Sequence, residues 1–200
     1  MKWLPLLVPV LLWAQFHRAE QDREIRYWLL DPSTHKFLIS HDFTVTRPGQ
    51  KSVHSFVRKG STVSPDSKMI DLDTGEPLHT HIVSGKEVNA LAYYPTPTDP
   101  ESVVVQGDLP RPVGDGESVR IRVEESYVDP VGYTQQNGEL AWTRTLGRPL
   151  NFVTLPEGWK LTSVNTPAVI TLDSQGRVTL RFTNTRAEEL AVSIKASRIR

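Results

Sequence analysis

The chain has 200 residues, with 23 Lys and Arg against 23 Asp and Glu, so its formal charge at neutral pH is zero. That balance provides no electrostatic hold on nucleic acid or on an anionic membrane surface. Cysteine is absent, which excludes disulfide scaffolds, thiolate zinc sites, iron–sulfur ligation and thiol catalysis together, and leaves stability to the burial of a core that this length can supply.

The chain starts with one cation, Lys2, then an uncharged run from Trp3 to Trp13, and then Ala14. A membrane-spanning helix needs roughly 20 apolar residues, and His17, Arg18 and Glu20 end this run well short of that. The segment 1–14 reads as a signal peptide with Ala14 as the small residue at the cut. A polar lead-in over 15–23 and a single domain over 24–200 follow. The expectation is an exported chain, periplasmic or extracellular, with no membrane span after cleavage.

From residue 25 onward, short apolar runs alternate with period two between turn residues, which is the rhythm of strands. The first are expected at 25–30 and 37–45, with Phe37, Ile39, His41, Phe43 and Val45 on one face and Arg47-Pro48-Gly49 turning the chain. Others follow at 52–57, 68–72, 78–84 and 103–106. The prolines between 93 and 116 could divide two subdomains, but Val103-Val104-Val105 reads as a strand and each half would be small for its own core. At 119–123 the valines and Ile121 face inward while Arg120, Arg122 and Glu124 face solvent. A polar loop is expected over 129–138, then strands at 139–143, 150–155 and 159–164. Ser174-Gln175-Gly176 makes a hairpin connection between Leu172 and the strand at 178–182, and a last strand runs through 190–196. The pattern predicts an all-β protein, a β-sandwich with immunoglobulin-like features, with a jelly-roll or cupin-like barrel as the alternative.

Two stretches carry a resemblance. Leu109-Pro110-Arg111-Pro112-Val113-Gly114, leading through Gly116-Glu117 into Val119-Arg120-Ile121-Arg122-Val123, is similar to the strand, proline turn, Gly-Glu, strand pattern in the N-terminal β-domains of M1-type aminopeptidases. The segment 144–184, with Leu155-Pro156-Glu157-Gly158-Trp159 and Asp173-Ser174-Gln175-Gly176-Arg177-Val178, resembles a group of uncharacterised exported bacterial β-sandwich proteins of about this size. The resemblance implies a sandwich without a catalytic domain. The His-Glu-x-x-His of the metallopeptidases is absent, so no peptidase residue carries over.

Among chemistry-bearing residues, His79 and His81 stand out, because side chains two apart on a strand share a side and can reach one ion. A third ligand must come from elsewhere, with Glu87, His41 and His54 as candidates. Gly75 before the pair and Glu87 after it look loosely like a first cupin motif, yet Leu161 stands where the second motif would place its histidine. With the shell incomplete, the expectation is no metal and no cofactor, His79, His81 and Glu87 being the weak candidates. Asp73-Thr74-Gly75 spells the aspartic-protease triplet, but a single copy without the second carboxylate reads as a turn. Asp71 and Asp73 do not continue into an EF-hand, and Asp108, Asp115 and Glu117 suit turn chemistry as well as loose calcium. Tyr93, Tyr94, Trp142 and Trp159 read as core or corner aromatics.

For ligand binding the polar loop is the better candidate, through Tyr133, Gln135, Gln136 and Asn137. The function expected is a non-catalytic binding or structural module with a protein, peptide or glycan as partner. The alternatives are a metal-dependent cupin-like enzyme using His79 and His81, and an accessory β-domain of a separately encoded enzyme.

Overall fold

Alternating burial organises the chain into three sheets. The computed structural model describes residues 24–57, 59, 62–63 and 66–199; the expected signal peptide over 1–14 and lead-in over 15–23 lie outside the described residues. The largest sheet contains β1 (Glu24–Leu29), β2 (Lys36–Val45), β4 (Thr62–Val63), β5 (Lys68–Asp71), β8 (Val119–Val128), β11 (Leu150–Thr154), β13 (Val169–Leu172) and β14 (Val178–Thr183). Its order is β13-β14-β11-β1-β2-β8, with β4 and β5 following one another along the far side of β8. Every pairing in it is antiparallel except β1 with β11.

Two smaller sheets cover the inner face. One is β12 (Trp159–Val164), β15 (Leu190–Arg198), β10 (Glu139–Leu146) and β9 (Tyr133–Gln136) in that order; the other is β3 (Ser52–Phe56), β7 (Val103–Asp108) and β6 (His79–Ser84). Two buried clusters mark where they pack. Tyr27, Phe37, Ile39, Tyr127, Trp142, Val153, Phe182 and Ile194 belong to the larger core. Val45, Val53, Met69, Val105, Ile121 and Val123 belong to the smaller. β2 and β8 therefore run through both cores, contributing one end of the same face to each. The second layer of the sandwich is in two pieces, and the seam between them lies over the middle of β2 and β8.

The all-β sandwich expected from the alternation is the fold found, and among the described residues no sheet closes, so the alternative of a jelly-roll or cupin-like barrel does not hold as a closed barrel. The inward register of β8 matches the expectation, with Ile121 and Val123 fully buried and Arg120 exposed.

The loop expected over 129–138 is instead mostly a hairpin. Asn137 and Gly138, both at positive φ (52° and 78°), close a two-residue turn from β9 into β10, because consecutive left-handed residues match the twist of the flanking strands. The short helix α1 (Gly85–Ala90) follows β6 without a loop. Its signal was Ser84 with Glu87 three residues on, a capping box in which each side chain satisfies the other residue's backbone N–H. Among the described residues no helix is long and apolar enough to cross a membrane.

Candidate functional site

Period-two alternation on β8 places residue 125 on the same inward face as Ile121, Val123 and Tyr127. The residue there is glutamate. Glu125 is 7% exposed, its Oε1 accepts from Ser55 Oγ at 2.8 Å, and its Oε2 is buried without a hydrogen-bond partner. Burial raises its carboxyl above the usual range, against the pull of Ser55, of the nearby Tyr127 and Ser67 hydroxyls and of Arg144. Leaving a carboxylate oxygen unmatched in a low-dielectric interior is costly, which makes the position informative.

Glu125 lines a cleft of about 250 Å³ at the seam, with Ile39 and His41 from β2, Ser55 from β3, Tyr127 from β8 and Arg144 from β10 among its walls. Arg144 is held rigidly. Its guanidinium lies 5.1 to 5.7 Å from the ring centroids of Phe37, Tyr27 and Tyr127, and it donates to Asp129 Oδ2 at 3.3 Å. At the mouth, Arg148 Nε donates to His41 Nε2 at 3.1 Å.

Strand edges also meet the cleft. β3 is an edge strand of its sheet, and the pairing of β10 with β9 stops at Trp142, short of Arg144. A wider groove of about 910 Å³ crosses the outer face of the large sheet near Trp28 and Leu38. It is open to solvent and shares Glu125 with the cleft, while its cationic walls are paired, Arg26 with Glu24, Lys68 with Glu124, Arg122 with Asp42 and Arg177 with Asp173.

The other expected residues fall elsewhere. Tyr133 is completely buried, and its hydroxyl donates to the Leu30 carbonyl. It is a core residue, because the hairpin that replaces the expected loop turns it inward. Gln135, Gln136 and Asn137 are exposed at the hairpin tip, away from the cleft walls. Trp142 and Trp159 are core residues, as expected. Asp73-Thr74-Gly75 forms a turn, with Gly75 at φ 79° and its N–H on the Asp71 carbonyl.

His79 and His81 do face the same way, their rings 5.6 Å apart. Of the third ligands considered, Glu87 is engaged by Ser84, whose N–H it accepts at 2.7 Å, and that contact lowers its pKa. His41 lines the seam cleft instead. The carboxylate beside the two histidines is Asp108. Antiparallel pairing sets it opposite His79 on β7, with its Oδ2 3.1 Å from His79 Nδ1 and 3.7 Å from His81 Nδ1.

Gln106, opposite both His81 and His54, continues the chain: its Nε2 donates to Asp108 Oδ1 at 3.1 Å. Its Oε1 lies 3.1 Å from His54 Nε2, and Tyr94 Oη lies 3.1 Å from His54 Nδ1. These contacts suit a neutral His54 that donates from Nε2 and accepts at Nδ1, and burial lowers its pKa accordingly.

No family model matches the chain, and no curated protein matches it. Solved structures do. A variant of the M1 zinc metallopeptidase from Deinococcus radiodurans is 15% identical, with a TM-score of 0.48 over 88% of this chain and 41% of that one. An aminopeptidase N family protein from Idiomarina loihiensis is 10% identical, with a TM-score of 0.48 over 86% of this chain and 29% of that one. The chain thus spans about two fifths of the length of the first and less than a third of the second.

Proposed function

We propose that the chain is a non-catalytic binding module whose ligand is a short extended peptide seated in the seam cleft. The observation that carries this reading is Glu125, a buried carboxylate with one oxygen unmatched in a cleft. A ligand N–H would satisfy that oxygen. Peptide is the ligand class that fits, because the cleft is bordered by strand edges whose backbone groups can pair with an added strand while Glu125 takes a donor. The volume falls just below the roughly 300–1,000 Å³ of sites for larger ligands, which suits two or three residues.

The test is titration of the isotope-labelled chain with a set of tripeptides, followed by amide chemical shifts. Shifts at Ser55, Glu125 and Tyr127 that vanish in Glu125→Gln support the reading. Shifts confined to the outer groove around Trp28, or none at millimolar peptide, overturn it.

We propose in addition that residues 1–14 direct export, on the strength of the short uncharged run ending at Ala14. Intact-mass measurement on the exported fraction checks this, and a chain there that still begins at Met1 defeats it.

A further inference from the structure

We propose that His79, His81 and Asp108 form a surface site for a late divalent transition metal, with zinc as the reference ion. The three offer donor atoms that all lie within 4.8 Å of one another. Around a tetrahedral ion with ligand bonds of 2.0–2.1 Å, neighbouring donors sit about 3.4 Å apart. The separations of 3.1 and 3.7 Å from Asp108 Oδ2 to the two Nδ1 atoms bracket that value. Two imidazoles and one carboxylate suit zinc, copper and nickel better than magnesium or calcium, which prefer oxygen shells.

The backbone fixes this arrangement. His79 and His81 share a side because they are two apart on β6, and pairing with β7 brings Asp108 alongside. The supporting contacts are also in place. Gln106 holds Asp108 Oδ1, and His54 holds Gln106, so the carboxylate presents its other oxygen to the histidines before any ion arrives. Outer-shell contacts of this kind orient a ligand and raise its affinity.

Asp108 is itself held below the usual carboxylate range, first by its hydrogen bond with His79. In the metal-free protein His79 Nδ1–H donates to Asp108 Oδ2; an ion bound at Nδ1 takes that position, and the neutral ring then carries its one proton on Nε2. The site is accessible, with 79% of the His79 side chain exposed. Three protein ligands leave one tetrahedral position open to water or to a donor from another molecule.

The experiment is calorimetric titration of the folded chain with Zn²⁺, backed by the visible spectrum of the Co²⁺ form. One ion per chain is expected, with the intense absorption of a four-coordinate site. His81→Ala and Asp108→Asn should abolish binding, while Gln106→Ala should weaken it about 10–100-fold. Glu87→Gln should leave it unchanged. Circular dichroism of each variant separates lost binding from lost fold. Absence of stoichiometric binding in the wild-type chain, or full binding in a folded Asp108→Asn variant, would overturn the site. Neither result bears on the seam cleft, which uses none of these three residues.

Discussion

Glu125 makes opposite demands on stability and binding, and pH exposes them. Its folded pKa is raised, so between the ordinary glutamate value, about 4.3, and the higher folded value the native state holds the proton more tightly than the unfolded one. Stability therefore falls as pH rises through that window. Glu125→Gln keeps the shape and removes the charge. It is expected to flatten the fall in stability within that window and to raise the melting temperature relative to wild type on its high-pH side, while losing the ligand. A variant less stable than wild type there would mean that the carboxylate is better matched than its contacts indicate. The sequence carried a signal for this residue: continuing the inward alternation of Val119, Ile121 and Val123 by one step reaches 125. Asp108 had no such signal. Its chemistry depends on which residue of β6 lies opposite it, and register across a sheet is set by turns and packing remote from either strand.

At the level of elements, alternation was legible wherever one face of a strand is buried and the other wet. β8 and β14 show it, and Phe182 on β14 is fully buried. Phe182→Ala should cost about 3–5 kcal/mol in denaturant unfolding, whereas Arg120→Ala on the exposed face should stay within about 0.5 kcal/mol. Equal effects would put the register wrong by one residue. β9 was less legible because Tyr133 to Gln136 is short and polar, although Asn137-Gly138 after it is a strong hairpin signal. Gly138→Ala tests that turn: an L-residue held in the left-handed region costs roughly 1–2 kcal/mol, and a neutral substitution would show that the hairpin tolerates another turn. β13 offered no alternation to read, since all four of its residues are exposed at the sheet margin.

For the whole molecule, the two cores raise the question of how many units unfold. We propose one, over 24–200, because β2 and β8 each donate side chains to both cores and neither core can open without disturbing a shared strand. Of the three described tryptophans, Trp142 and Trp159 belong to the larger core and Trp28 lies on β1, a strand of that same core, while circular dichroism senses strands in both. The two signals should therefore melt together. Met69→Ala in the smaller core, where Met69 is fully buried, should cost about 2–5 kcal/mol and still move the tryptophan transition. A tryptophan signal unmoved by Met69→Ala would divide the chain into two domains near the seam.

The parallel pairing of β1 with β11 bears on how the chain is made. β1 lies between β2 and β11, and Glu24 sits beside Leu150. The hairpin with β2 can form as soon as both strands leave the ribosome, but the other edge of β1 has no partner until a segment far along the chain emerges. At about 5–20 residues per second, that wait is roughly 6 to 25 s. During it, a strand destined for the middle of the sheet presents an open row of backbone donors and acceptors. Nascent chains stalled before residue 150 should therefore be the aggregation-prone species, and holding them back from one another would be a task for a chaperone.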